Sequence, residues 1–430
     1  MPAFSNRGVA QIRPQYAEAF RCIGAECEDT CCSGWSVSID KNTFEKYQAI
    51  PDSSLYPIMQ ERLVRIETNA SDLQYAKIKT ASDEACPFWG ADRLCSIQKE
   101  HGAEYLSLTC ANYPRPIKTI DNEAERTLLL SCPEAARLVL LHPQLISDET
   151  TKTPYPLLPL PAAEKLPGET PLVYFWSIRQ FVVLLLKDRS YPIWQRLFLL
   201  GMFCRRLEEL TSAREIGRIP RLFNEYAEIV SAGKLRGTLD AIPPQTAKQL
   251  GAMIALVEQQ RISSPRKNRR FRECIQDFAR GIQYQSGCTA IDLAPHYAEA
   301  YARYYRPWAE QQGSFLENYL LNYVFGHLFP FSSPGPEQGL HAYREFLILC
   351  CNYVLIRGLM VGMAGHYRAS FDTTHAIKLI QSFAKAFEHD PLHVEQMINL
   401  LERNKMNQTN GIAALLRDVS PESPIGTVPV

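Results

Sequence analysis

The cysteines constrain this chain most, because they are crowded into one part of it. Eight of the thirteen cysteines lie within residues 22–132, in two blocks. Soft thiolates spaced this closely can converge on a metal ion or cluster, which scattered core cysteines cannot do. We therefore predict that both blocks supply metal ligands and fold onto each other around a metal centre. The first block is Cys22, Cys27, Cys31 and Cys32, and the second is Cys86, Cys95, Cys110 and Cys132.

Disulfides and inert buried thiols are the alternatives to metal ligation. The residues up to Pro14 contain no apolar segment behind a basic start, so no secretory signal is expected and the predicted location is cytoplasmic. A chain of 430 residues also buries enough surface to fold without covalent crosslinks. Cys31 and Cys32 are neighbours, which rarely pair with each other. From the spacing alone, an iron–sulfur cluster and zinc are equally compatible with these thiolates.

Charge excludes one class of partner. The chain has 46 basic and 46 acidic residues, so it lacks the overall positive charge of a nucleic-acid-binding protein. The segment 261–272 holds six basic residues and no acid. Such a segment can contact an acidic protein face or an anionic membrane surface, although a solvated loop and helix start is the simpler interpretation.

The prolines divide the chain. Seven prolines fall within residues 143–171, which predicts an extended linker rather than helix or central strand. Residues 1–142 are predicted to form a cysteine-rich metal-binding domain with a few helices, among them 55–66, 123–130 and 134–141. Residues 172–410 carry apolar side chains at three- and four-residue steps, which predicts an all-helical domain, and residues 411–430 a frayed tail. The predicted fold class is thus mainly α.

One apolar stretch, 346–365, is long enough to resemble a membrane span. It contains Asn352 and Arg357, and an arginine at a bilayer centre costs about 2.5–3.5 kcal/mol. A buried core helix is therefore predicted. Gly358 and Gly362 within it predict close packing against another helix.

The first cysteine block carries a family resemblance. Residues 16–24 read Tyr-x3-Phe-Arg-Cys-Ile-Gly, and residues 27–35 read Cys-Glu-Asp-Thr-Cys-Cys-Ser-Gly-Trp. This resembles the opening of the flagellin lysine N-methylase family. The array as a whole, including Cys86-Pro-Phe and Cys110 ahead of Tyr-Pro-Arg, resembles the zinc- or iron-chelating CxxCxxCC domain. The spacings here are x4 and x3 rather than x2 and x2, which leaves the geometry of any one site open.

The resemblance implies a methyltransferase that moves a methyl group from S-adenosylmethionine to lysine ε-amines of flagellin, in the cytoplasm. It also implies an iron–sulfur cluster, [4Fe–4S], with zinc as the alternative. A binding or sensor protein that only chelates zinc or iron is the competing function. The chain has no G-x-G-x-x-G, so the methyl donor is not expected on a Rossmann-type loop. Cys27 and Cys31 match the first two sulfurs of a C-x3-C-x2-C radical motif, but Gly34 stands at the third.

The remaining candidates have simpler interpretations. His389 and His393 are spaced for metal ligation on a helix, but Pro391 lies between them at a predicted helix start. Glu28 and Asp29 are expected to be solvent-facing acids of the loop. An aromatic stripe at helical spacing is expected in the core, with stacking on an adenine or an amine as the alternative: Tyr297, Tyr301, Tyr304, Tyr305 and Trp308. The other cysteines are expected to be buried small apolar residues: Cys204, Cys274, Cys288, Cys350 and Cys351.

Overall fold

Helices dominate the secondary structure, as the apolar periodicity predicts. The computed structural model describes residues 13–34, 36–80, 85–120, 123–146, 170–263, 268–332, 340–388 and 391–419. The helices before the proline-rich segment are short: α1 (Lys41–Gln48), α2 (Tyr56–Arg62), α3 (Ser96–His101), α4 (Leu108–Asn112) and α5 (Pro133–Leu140). Those after it are α6 (Phe175–Lys187), α7 (Ile193–Ser212), α8 (Ile219–Ser231), α9 (Arg236–Asp240), α10 (Thr246–Ser263), α11 (Arg269–Gly281), α12 (Ala290–Ala300), α13 (Arg306–Gln311), α14 (Phe315–Gly326), α15 (Ala342–Tyr367), α16 (Thr373–Phe387), α17 (Pro391–Arg403) and α18 (Thr409–Leu416).

A small three-stranded antiparallel sheet lies in the first part of the chain. Its strands are β1 (Ser38–Ile39), β2 (Leu63–Arg65) and β3 (Ala76–Ile78), in the order β1-β3-β2. With α1, α2 and α3 the sheet encloses a separate small core that includes Tyr47, Met59 and Phe88. Asp40 caps α1 by accepting from the Thr43 amide at 2.9 Å, and its other oxygen accepts from the Leu108 amide at 3.0 Å. This carboxylate therefore holds the start of α4 against the sheet.

The segment 123–130 is not helical, which corrects the prediction. Strands β4 (Ile117–Ile120) and β5 (Glu123–Arg126) pair antiparallel, with Lys118 opposite Glu125. Tertiary pairing outweighs local periodicity here, because Glu125 is buried and its carboxylate receives both Nη atoms of Arg179 on α6, at 2.7 and 3.1 Å. The predicted helix 55–66 is likewise shorter, since residues 63–65 form β2. The helix predicted at 134–141 is confirmed as α5.

The helical body is built around α15. This is the one helix among the described residues that is long and apolar enough to cross a membrane, and its apolar window lies wholly inside the protein. The predicted core helix at 346–365 is thus confirmed. Helix α11 packs closely along α15, where Gly281 faces Gly362 so tightly that a Cβ on Gly281 would overlap the Gly362 carbonyl oxygen. The glycines of α15 therefore allow close helix packing, as predicted.

The large core extends into the first third of the chain. Tyr16, Phe20 and Leu128 belong to the same buried cluster as the helices after Thr170, and so does α5. The Tyr16 hydroxyl donates to Asn322 Oδ1 on α14 at 2.6 Å. The cysteine-rich part before residue 142 thus comprises one small core of its own and segments that complete the core of the helical body.

The end of the chain is more ordered than predicted. Residues 411–416 lie in α18 and are buried, so the predicted tail is wrong for this stretch. Arg357 explains the difference, because its buried guanidinium donates to the carbonyls of Leu416 and Leu415 and pairs with Asp418 at 2.8 Å. Residues 420–430 lie outside the described residues, as do 147–169 of the predicted linker.

Candidate metal centre

The two cysteine blocks meet in space. The Cys86 amide donates to the Cys32 carbonyl oxygen at 2.7 Å, and Ser33 and Ala85 form an isolated antiparallel bridge beside it. Two other cysteines of the second block stand directly before a helix, Cys95 ahead of α3 and Cys132 ahead of α5. Local folding thus brings the second block against the loop of the first, as the array predicts.

Four thiols form the principal group: Cys31, Cys86, Cys95 and Cys110. Burial, with a smaller contribution from charges on the other three, raises the pKa of Cys86 to about 11. Burial also raises the pKa of Cys110 to about 11, with added contributions from Cys95 and Cys31. The pKa of Cys31 is raised most by its hydrogen bond with Cys32, then by burial. The four groups are close enough that a negative charge on one disfavours a negative charge on the next.

Three further thiols form a second group at the edge of the loop. Burial raises the pKa of Cys132 to about 12, and Cys27 and Cys22 add to the rise. The pKa of Cys27 is raised in the same way, by burial first and with a contribution from Cys22. Cys22 itself is exposed. Seven of the eight predicted ligands thus fall into two groups, and Cys32 adjoins the first through Cys31.

The donor set has the chemistry of a thiolate-ligated centre. All thirteen cysteines lie within the described residues, and none of them is in a disulfide. Within the described ranges, no three or more His, Cys, Asp or Glu side chains are arranged as ligands of one metal ion. A bound cation would nevertheless offset the repulsion between four neighbouring thiolates. Zinc and a [4Fe–4S] cluster each bind four such ligands. The principal group therefore fits such a centre in ligand type and number.

The first block is fastened to the helical body through its acidic residues. Glu28 is exposed, as predicted, whereas Asp29 is largely shielded, contrary to the prediction that it faces solvent. Lys385 on α16 donates to both carboxylate oxygens of Asp29 at 3.0 Å and to the Thr30 carbonyl at 2.8 Å. Gln381, one turn earlier on α16, donates to Asp29 at 2.8 Å. The side chains of Asp29 and Lys385 are only 15% and 11% exposed, so this pair is well shielded from solvent.

Two arginines hold the neighbouring Glu28. Arg137 on α5 pairs with its carboxylate at 2.7 Å, and Arg270 on α11 donates to its carbonyl oxygen at 3.3 Å. Arg270 belongs to the basic segment 261–272, so part of that segment binds the cysteine loop. Residues 264–267 of the same segment lie outside the described ranges.

The sequence contains no motif that predicts these contacts. Asp29 and Lys385 are 356 positions apart, and neither belongs to a recognisable motif. The other candidates follow their simpler interpretations. The aromatic stripe packs in the core except for partly exposed Tyr304, four of the five remaining cysteines are buried while Cys288 is partly exposed, and His389 lies outside the described residues.

The sequence is similar to lysine N-methylases and to a flagellar protein. Residues 179–415 match the model of the FliB lysine N-methylase C-terminal domain. The lysine-N-methylases of Salmonella typhimurium and Salmonella choleraesuis are each 24% identical over 390 residues, covering 89% of this chain and 92% of theirs. The flagellar biosynthetic protein FliU of Salmonella muenchen is 37% identical over 139 residues, which are 32% of this chain and 82% of that protein. No solved structure matches.

Proposed function

Since this chain belongs to the FliB lysine N-methylase family, which marks it as a lysine methyltransferase, we propose that it transfers a methyl group from S-adenosylmethionine to lysine ε-amines of flagellin. The observation that carries the proposal is the similarity to two lysine-N-methylases over 89% of the chain, a length that the helical body alone cannot supply. Flagellin as the substrate is supported by the match to a flagellar biosynthetic protein. We place the reaction in the cytoplasm, before flagellin is exported.

The chemistry requires a neutral amine, an electrophilic methyl group and exclusion of water. The nitrogen lone pair forms a bond to the methyl carbon while the carbon–sulfur bond breaks. The electron pair of the broken bond stays on the sulfur. We propose this polar transfer rather than a radical one, because Gly34 occupies the position of the third sulfur in a radical motif.

The metal centre belongs to the same proposal. Cys31, Cys86, Cys95 and Cys110 would hold an iron–sulfur cluster, or zinc in its place. Either group supplies positive charge that stabilises the four thiolates and joins the first cysteine block to the second. The protein's own part is to hold that loop on α16 and α5 through Asp29 and Glu28.

The deciding experiment incubates anaerobically purified protein with flagellin and S-adenosylmethionine labelled in its methyl group. Label is expected in lysine side chains of flagellin. If flagellin stays unlabelled while the metal content is intact, the methylase proposal fails and the chelating function takes its place.

The metal assignment is tested separately by metal and sulfide analysis. Cys110→Ser should lose bound metal, whereas Cys288→Ser, outside the array, should keep it. Equal metal content in both variants would remove Cys110 from the ligand set. Visible absorption from iron–sulfide charge transfer would distinguish a cluster from zinc.

A further inference from the structure

A cavity with a mixed apolar and charged lining lies in the helical body, apart from the cysteine array. Its volume is about 290 Å³, near the lower end of the range of about 300–1,000 Å³ typical of ligand sites. Side chains from α14, α15, α16 and α17 line it, so four packed helices determine its shape. Nothing in the sequence motifs or the family comparison assigns it a role.

Carboxylates outnumber cations in the lining. Three glutamates line the cavity with one arginine, Arg344, and Arg344 already pairs with Glu395. Glu345 is almost fully buried. The carboxylate of Glu388, at the end of α16, forms no hydrogen bond or ion pair with any residue that the structure describes. The cavity therefore favours a cationic ligand.

Aromatic rings form two of its walls. Tyr323 stacks on His327 with ring centroids 3.9 Å apart, and Phe387 stacks on His393 at 4.5 Å. Flat rings bind the methylene stem of an alkylammonium by apolar contact and attract its charged end through their faces. Aromatic walls with an available carboxylate match the two ends of a lysine side chain.

We propose that this cavity receives the lysine side chain that is methylated, with Glu388 binding its ammonium group and accepting its proton. The inference rests on the proposed function and assigns it a site. Loss of the proton to Glu388 gives the neutral amine, whose lone pair attacks the methyl carbon as the carbon–sulfur bond breaks. The product is an N-methylammonium and a neutral thioether, so charge and electrons balance.

The electrostatics of Glu388 support this role. Burial raises its pKa to about 7 from the ordinary 4.5. A carboxylate with a pKa near the working pH is a better proton acceptor than a fully solvated one. Tyr319 and Tyr323 on α14 contribute no competing charge, because burial holds the pKa of both hydroxyls well above the ordinary value.

Helix α16 connects this cavity with the candidate metal centre. Gln381 and Lys385 on α16 bind the cysteine loop, while Phe387 and the adjoining Glu388 line the cavity. The two sites are therefore at neighbouring turns of one helix.

The test measures binding of Nα-acetyl-lysine N-methylamide to the full-length protein by calorimetry. Nα-acetyl-norleucine N-methylamide is the matched control ligand, because it has the stem but no ammonium. We expect the lysine probe to bind at least tenfold more tightly than norleucine. Glu388→Gln should lose that preference, Glu388→Asp should retain part of it, and Glu310→Gln, whose side chain is exposed on α13, should keep it in full.

Equal binding of the two probes, or unchanged lysine binding in Glu388→Gln, would overturn the assignment. The flagellin assay separates this from failure of the proposed function. If the unmodified protein labels flagellin and Glu388→Gln does so with the same KM, methylation stands and the site is wrong. If the unmodified protein labels nothing but still prefers the lysine probe, the cavity is a lysine site and the methylase function fails.

Discussion

The strands β4 and β5 form a hairpin, and the buried ion pair between Glu125 and Arg179 fastens it to α6. Breaking this ion pair tests how the hairpin is held on the helical body. Both side chains are 1% exposed, and they share two hydrogen bonds of 2.7 and 3.1 Å. Replacing Glu125 by Gln removes the negative charge and leaves the guanidinium buried. Removing one partner of such a pair costs about 3–5 kcal/mol.

We expect the lower end of that range. Arg179 also lies over the rings of Phe175, Trp176 and Phe325, at 4.7, 5.3 and 5.1 Å from their centroids, and these contacts remain in the variant. The neighbouring Lys118 ammonium also loses the favourable charge of Glu125, which adds to the loss and keeps it from falling below the range. The predicted loss in the free energy of unfolding is therefore about 3 kcal/mol.

Urea unfolding followed by circular dichroism measures this loss. The double variant of Glu125→Gln with Arg179→Met should recover most of the stability, because no unpaired charge remains buried. Arg221→Gln, in an exposed pair with Glu225, should cause no measurable change. If Glu125→Gln costs less than about 1 kcal/mol, or if the double variant is as unstable as the single one, the ion pair does not hold the hairpin on the helical body.

Three further predictions concern the helical body and its contact with the cysteine loop. Gly281→Ala should destabilise the protein by about 1–3 kcal/mol in urea, because its methyl group overlaps the Gly362 carbonyl; no loss would show that α11 and α15 can separate freely. Asp29→Asn should make the array thiols react faster with an alkylating reagent, since Lys385 then lacks its charged partner, and an unchanged rate would mean that the pair does not hold the loop. Because burial raises the pKa of Glu388 above its unfolded value, the folded protein binds that proton more tightly and stability falls as pH rises from 4.5 through about 7. Glu388→Gln should remove this loss. We expect the variant to be more stable than the unmodified protein by about 1–2 kcal/mol at pH 8, a value reduced for water in the cavity, and equally stable at pH 4. Equal stability of the two proteins at pH 8 would refute the prediction.

The helical body could be predicted because its signal is local. Apolar residues at three- and four-residue steps specify a helix whatever it packs against, and α15 lies where that pattern and its glycines place it. The hairpin could not, because β5 is stabilised by pairing with β4 and by Arg179, more than fifty positions away. The apolar spacing over 123–130 favours a helix, but contacts with residues distant in the sequence outweigh it.

The two candidate sites also differ in how far the sequence predicts them. Cys32 and Cys86 are far apart in the chain, but clustered cysteines are recognisable by residue type, so the meeting of the two blocks could be predicted. The partners of Asp29 and the lining of the cavity depend on how distant helices pack, and neither leaves a motif. For Glu388 the decisive property is its environment, which comes from four separate helices.

The link between Asp29 and Lys385 has a consequence for the order of assembly during synthesis. The cysteine loop is translated about 350 residues before α16, to which it is fastened. At about 5–20 residues per second, the loop waits roughly 20–70 seconds for its final partner. The first cysteine block therefore lacks its contact with α16 until the last part of the chain has been made.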